Sequence, residues 1–240
     1  MSKQHPDKSL SSHAILDKES RKIKALKIIA VLKKNTGNLK NKRILDIGTG
    51  AGHIASFLGS ESNSVVSIDV VDERRQKGSY KFIKVQDENL PFKDNTFDIV
   101  ISNHVIEHVP NQQRHVDEIF RVLKNGGIVY LATPNKYWLT DPHYRLYFIS
   151  WMPNGLAKRY LTIMKGKGWD IKPLSLRGIK KLTKGKSSNN LIFIDMIKEP
   201  QTYHMDNYAH LQNIIKKTPR GILKTFGFFI PTIVILLKKQ

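Results

Sequence analysis

The stretch ILDIGTGAGHIA, residues 44–55, constrains this chain more than any other. Ile44, Leu45 and Ile47 give a short apolar strand that runs straight into glycines at 48, 50 and 52, and an apolar helix start follows. Glycine at such a turn permits positive φ and lets a ligand lie against the backbone at a helix N-terminus. The spacing is GxGxG. A dinucleotide fingerprint requires GxGxxG, and position 53 is His. Asp46, just before the turn, is placed to accept hydrogen bonds from glycine-loop amides or a ligand ammonium, which a diphosphate-binding loop does not need.

The same alternation continues downstream. Ser64–Asp69 reads as a second strand, Tyr80–Val85 as a third, Phe97–Ser102 as a fourth and Gly127–Thr133 as a fifth. Helical spacing marks His53–Leu58 and Gln112–Leu123, the latter stopping at Lys124–Gly127. Upstream, Ile23, Leu26, Ile29, Ala30 and Leu32 recur at helical spacing between lysines, so Glu19–Lys34 is expected to be an amphipathic helix that ends at Gly37. Strands alternating with helices and no tight hairpins imply a doubly wound, mostly parallel sheet. After Pro134 the pattern changes to an aromatic, proline-punctuated stretch. Leu174–Leu182 reads as a short helix, Leu191–Ile197 as a sixth strand, Asn207–Thr225 as a helix broken near Pro219, and Phe228–Leu237 as the last strand. The expected organisation is a flexible N-terminus over 1–20, a core with its leading helix over 21–135, an inserted aromatic cap over 136–190, and a C-terminal completion of a seven-stranded sheet over 191–240.

Asp69 ends the second strand about twenty residues after the glycine turn, where an acid can accept both ribose hydroxyls of a nucleoside cofactor. With it, ILDIGTGAG, VVSIDV, ENLPFKDNTFDIVISNHVIEHV and EIFRVLKNGGIVYLATPN resemble, in order, the motifs of class I S-adenosylmethionine-dependent methyltransferases, and most closely those of the type 11 group. The resemblance spans Arg43 to Asn135. It implies a Rossmann-like core, S-adenosylmethionine as cofactor, and methyl transfer as the activity. It also implies that Asp46, Gly48, Thr49, Gly50 and Gly52 surround the methionine part, that Asp69 and Val70 hold the ribose, and that Asn103 lies near the sulfonium. Where the family often has Asp before Leu-Pro-Phe, this chain has Gln86 with Asp87 next, so the adenine contact falls to one or the other.

The acceptor is not written in the core, because in-line transfer from a sulfonium needs alignment and exclusion of water more than an invariant constellation. A base is needed only for a hydroxyl or a protonated amine. His104 is one candidate, at the carboxyl end of a strand where α/β sites form. His143, flanked by Pro142 in the cap, is the other. Glu107 and His108 are expected to open the following helix; HVIEH is not the zinc motif HExxH, and no metal is assigned. The cap aromatics either enclose an acceptor or form the cap's own small core.

The formal charge is +20, and its distribution carries the information. Residues 1–43 hold twelve Lys/Arg against three Asp/Glu, residues 44–135 nine against twelve, and residues 136–240 nineteen against five. The cations thus flank the core, where they would attract a polyanion or an anionic membrane. Yet only ten of the forty are Arg, the residue favoured for base and phosphate recognition, and the fourth strand lacks a base-flipping motif. A small-molecule, lipid or sugar-linked acceptor, methylated on oxygen, is therefore the expected substrate, with nucleic acid as the alternative. A non-catalytic cofactor-binding protein docked on membrane by the basic first helix and apolar C-terminus is the third reading. The lack of cysteine, of a secretory signal and of an apolar run of about 18 residues points to a cytoplasmic chain, at most peripheral to the membrane.

Overall fold

The computed structural model describes residues 8–141, 144, 146–166, 171–191, 193–205, 215, 217–219, 221–223 and 230–240. The glycine-turn strand β1 (Arg43–Ile47) leads to helix α2 (His53–Gly59), then β2 (Ser64–Asp69), β3 (Lys81–Lys84) and β4 (Phe97–Asn103). Helix α3 (Gln112–Val122) and β5 (Leu123–Pro134) complete the first half of the sheet. The strands stand in the order β3-β2-β1-β4-β5-β7-β6, with β1 to β5 all parallel to one another. Strand β7 (Thr232–Lys239) inserts antiparallel between β5 and β6 (Ser187–Leu191). The chain leaves β1 in opposite directions on its two sides, which makes the carboxyl ends of β1 and β4 the switch point where α/β sheets bind ligands.

Alternation along the strands explains why both faces are covered. Ile44, Ile99, Ile101, Tyr130, Ala132, Val234 and Leu236 point to one face and pack with Ile28 and Leu32 of helix α1 (Lys8–Thr36). Leu45, Ile47, Val100, Val129, Leu131, Ile233 and Ile235 point to the other and meet Val116, Ile119 and Phe120 of α3. Burial on α1 follows Ala25, Ile28, Ile29 and Leu32, one stripe at helical spacing. At its end the Gly37 N–H bonds the Lys33 carbonyl at 2.9 Å with φ +74°, a conformation glycine adopts without penalty.

Several expected boundaries move. Helix α1 begins at Lys8, not Glu19, so the expected flexible N-terminus is helical from that point. The expected sixth strand over Leu191–Ile197 is instead helix α6 (Phe193–Lys198), whose Ile194, Met196 and Ile197 enter the core, while β6 is the polar run just ahead of it. A short apolar run cannot by itself be told from a buried helix, and an edge strand needs little apolar character. Helix α5 (Leu176–Leu182) buries Ile179 in the same cluster as α3, and β6 already joins the sheet at Ser187. The cap therefore narrows to the segment between Lys136 and Gly166, which holds a 3-10 turn (Ile149–Trp151) and helix α4 (Asn154–Lys165). The apolar C-terminus is β7, buried between β5 and β6, and so is unavailable for membrane contact; the apolar stripe of α1 is buried likewise. The expected helix over Asn207–Thr225 lies mostly outside the described residues.

Candidate functional site

A cavity of about 790 Å³ opens at the carboxyl ends of β1, β2, β3 and β4, within the range that accommodates a nucleoside-sized cofactor. Its floor is the glycine turn. The Gly48 and Thr49 N–H groups both donate to the Ile68 carbonyl, at 2.9 and 3.1 Å, which ties the turn to β2. Gly48 has φ +76°, and a Cβ there would fall 2.3 Å from Val105 Cγ2, so the loop after β4 closes down only because position 48 has no side chain. Gly52 (φ +84°) sits under Gln76 and Tyr80 in the same way.

Asp69 is held from two sides. Its Oδ2 accepts the Gly50 N–H at 2.8 Å and its Oδ1 the Val70 N–H at 2.7 Å, which aims the carboxylate along the cavity wall and leaves each oxygen further lone pairs. Val70, half exposed, lies beside it as an apolar wall. Gln86 and Asp87 both line the cavity after β3, and Asp87 also accepts the Asn89 N–H at 2.7 Å within its own turn. Glu73 and Glu88, two acids the sequence did not single out, line it as well. With Asp69 and Asp87 they make the cavity acidic in a chain of charge +20, the polarity that suits a cationic ligand.

Asp46 lies beneath the turn, 1% exposed, and neither of its carboxylate oxygens has a hydrogen-bond partner among the described residues. Burial, followed by repulsion from Asp69, pushes it up to about 7. An unsatisfied buried carboxylate costs free energy, which a cation arriving from outside the chain would offset, although Asp46 itself does not line the cavity. The ammonium of S-adenosylmethionine has that character, and the acidic cavity suits its sulfonium. Thr49 turns inward instead, its hydroxyl meeting Ser67 Oγ and the Ile68 carbonyl, and neither Thr49 nor Gly52 lines the cavity. Both shape the turn. Asn103 closes β4 against Ala132 and likewise lies behind the lining.

His104 does line the cavity. Its backbone has φ +59°, a left-handed conformation uncommon outside glycine that recurs at functional sites, and its N–H is fixed to the Ala132 carbonyl at 2.8 Å. Nδ1 stands 3.3 Å from Oε1 of the fully buried Glu107, close enough for charge pairing although off hydrogen-bond alignment. The Thr133 hydroxyl donates to Glu107 Oε2 at 3.0 Å. Burial would raise the Glu107 carboxyl, but His104, its backbone and Thr133 outweigh that and hold it below the usual glutamate value. Glu107 therefore does not open a helix: α3 starts at Gln112, capped by Asn111, whose side chain accepts the Arg114 N–H at 3.0 Å. His115 was also missed. It lines the inner wall of the cavity, buried against Ser102 at 3.1 Å, where desolvation lowers it to about 4 and keeps the ring neutral. His143 lies outside the described residues.

A glycine turn on β1, an acid at the end of β2, an acidic cavity at the switch point and an antiparallel strand beside β5 together make a Rossmann-like α/β architecture, the fold of solved proteins described as methyltransferases. A family described as a methyltransferase domain matches residues 45–131. The mitochondrial ubiquinone biosynthesis O-methyltransferase of Bos taurus is 31% identical over 115 residues, covering 42% of this chain and 31% of that protein. The phthiotriol/phenolphthiotriol dimycocerosates methyltransferase of Mycobacterium leprae is 34% identical over 100 residues, covering 38% and 37%. The chain thus spans less than half the length of these curated relatives. A structure of a putative S-adenosylmethionine-dependent methyltransferase from Listeria monocytogenes superposes with TM-score 0.57 at 17% identity, covering 91% of this chain and 99% of that one, a likeness of fold.

Asp69→Ala tests the cofactor site directly. It removes the carboxylate expected to accept the ribose hydroxyls together with the clamp on Gly50, and calorimetry with S-adenosylmethionine is expected to show affinity reduced at least tenfold, about 1.4 kcal/mol. Near-normal affinity would sink the ribose assignment.

Proposed function

We propose that this protein transfers the methyl group of S-adenosylmethionine to a hydroxyl oxygen of a small-molecule, lipid or sugar-linked acceptor. The observation that carries the reading is His104, set at the cavity with a buried glutamate 3.3 Å behind its Nδ1. Bound S-adenosylmethionine supplies an electrophilic methyl on a good leaving group. What remains for the chain is to hold the acceptor in line, exclude water and remove one proton. Glu107 orients the imidazole, so that Nε2 is the atom to take the hydroxyl proton as the oxygen–methyl bond forms and the sulfur–methyl bond breaks. The acidic lining contributed by Asp69, Glu73, Asp87 and Glu88 disfavours a polyanionic acceptor and supports a neutral one. The Bos taurus relative is named as an O-methyltransferase, in keeping with this choice.

The test is to incubate the protein with methyl-labelled S-adenosylmethionine and a cell extract separated into lipid, saccharide, small-molecule, protein and nucleic-acid pools. Label in the lipid, saccharide or small-molecule pool, lost in Asp69→Ala, is the expected result. Label confined to nucleic acid would overturn the acceptor class, and failure to bind the cofactor would overturn the activity itself.

A further inference from the structure

The cap buries little of what it carries. Its own core is Leu146, Ile149, Ala157 and Leu161, with Tyr144, Met152 and Tyr160 packed at the margin. Most of the large apolar side chains exposed among the described residues belong to this one segment. On α4, Leu156 is 59% exposed and Ile163 71%, with Met164 beside them. At helical spacing these three and Tyr160 form one continuous stripe next to the buried Ala157 and Leu161, so only half of an unusually wide apolar face is used for packing.

The loop ahead of α4 extends the patch with rings. Tyr147, 64% exposed, lies 6.4 Å from Phe148 between centroids, and Phe148 meets Trp151 edge-on at 5.2 Å. This cluster is built into the backbone. Phe148 has φ +57°, a strained conformation for an aromatic residue, and its N–H is fixed to the Leu139 carbonyl at 2.8 Å. The strained backbone thus holds Phe148 against Trp151 while leaving nearly half of the residue in solvent.

Charge identifies the occupant. Asp141 is the only acid between residues 136 and 166, and it is buried, receiving the Tyr144 N–H at 2.8 Å and the Ser150 hydroxyl at 3.3 Å. The exposed charges on α4 are Lys158, Arg159 and Lys165. An apolar stripe and aromatic cluster with cations and no exposed anion is the pattern of a surface that lies in the headgroup layer of an anionic bilayer. A second copy of the chain would set like charges against each other. An RNA would gain nothing from Leu156, Ile163 and Met164, which offer neither stacking faces nor hydrogen bonds.

We propose that the cap between Lys136 and Gly166 is a docking surface for an anionic lipid membrane, with the α4 stripe and the Tyr147–Trp151 aromatics entering the interface. The cap follows β5 at the carboxyl end of the sheet, the end at which the cavity opens. The docking itself does not depend on methyl transfer, and it is measured without turnover.

The full chain is sedimented with phosphatidylcholine vesicles and with vesicles in which a third of the lipid is phosphatidylglycerol, at low and high salt. Wild type is expected to bind the anionic vesicles, more weakly at high salt, and the neutral ones poorly. A combined Leu156→Ser, Ile163→Ser, Met164→Ser variant is expected to lose roughly tenfold or more in binding. These side chains are exposed, so its melting temperature should match wild type. Lys158→Glu with Arg159→Glu should lose the preference for anionic lipid. Binding by both variants equal to wild type would overturn the proposal, as would indifference to lipid charge. A dimer or an RNA complex that the serine variant abolishes, with no vesicle binding by wild type, would assign the face to that partner instead.

Discussion

Replacing Asp46 by Asn is expected to raise the melting temperature of the ligand-free protein while weakening its hold on S-adenosylmethionine about ten- to a hundredfold. Asp46 is buried, its oxygens lack hydrogen-bond partners among the described residues, and desolvation with the nearby Asp69 charge lifts it to about 7 from a carboxyl value of 3.8. Its folded-state value is raised, so the associated stability is fully present below the unfolded value and is lost as pH climbs towards 7. At pH 8 the charged form costs on the order of 4 kcal/mol. At pH 5 about 2 kcal/mol of that cost remains. Asn carries no charge but has an amide to satisfy, which offsets part of the gain and leaves about 2 kcal/mol, or about 4–8 °C. The advantage should therefore shrink from pH 8 to pH 5, and that pH dependence separates charge removal from a packing effect. The cofactor ammonium reverses the balance, since an ionised carboxylate that receives a cation gains a charge-assisted contact of about 1.5–3 kcal/mol. Wild type should accordingly gain more thermal stability from the cofactor than the variant does. Unchanged stability and unchanged affinity together would remove Asp46 from the site.

What the sequence showed and what it hid follow from the kind of signal each residue leaves. Strand β2 matches its expected bounds, Ser64–Asp69, because its apolar residues are flanked by polar ones and both faces are buried. Gly48, Gly50 and Asp69 were legible because a strand-to-helix turn admits few residue types at those points. Gly52 and Thr49 carry the same motif signal but serve the turn, and the motif cannot separate a glycine that faces a ligand from one that faces Gln76. Glu73 and Glu88 were invisible because they sit outside helices and strands, where no periodicity marks a facing direction. The exchange of helix for strand at Phe193–Lys198 shows the converse weakness, since Ile194, Met196 and Ile197 satisfy a short apolar run of either kind. The cap yielded least. Its aromatics suggested an acceptor enclosure or a small core, and nothing in their spacing marked which rings would remain in solvent.

Glu107 is the most consequential residue the sequence misread, and it carries the other large expected effect. His104→Gln should lower turnover on the labelled acceptor pool about a hundredfold or more while cofactor affinity stays within a few fold, because it removes the proton acceptor and leaves Asp69 and the glycine turn in place. An unaffected rate would assign His104 to the cavity wall alone. Glu107→Gln asks a finer question. Glutamine keeps the size and can still accept the Thr133 hydroxyl, now 3.0 Å from Oε2, but it takes away the negative charge 3.3 Å from Nδ1. The carboxyl is held below the usual glutamate value, so wild-type Glu107 is ionised throughout the neutral range and does not itself produce a limb there in the pH–rate profile. Turnover should fall while cofactor affinity and the yield of folded enzyme stay unchanged, because the imidazole loses the carboxylate that orients it. A purely structural role would instead lower the amount of folded enzyme and leave the turnover of the folded fraction as in wild type. That split distinguishes a carboxylate that positions a base from one that merely fills the space behind it.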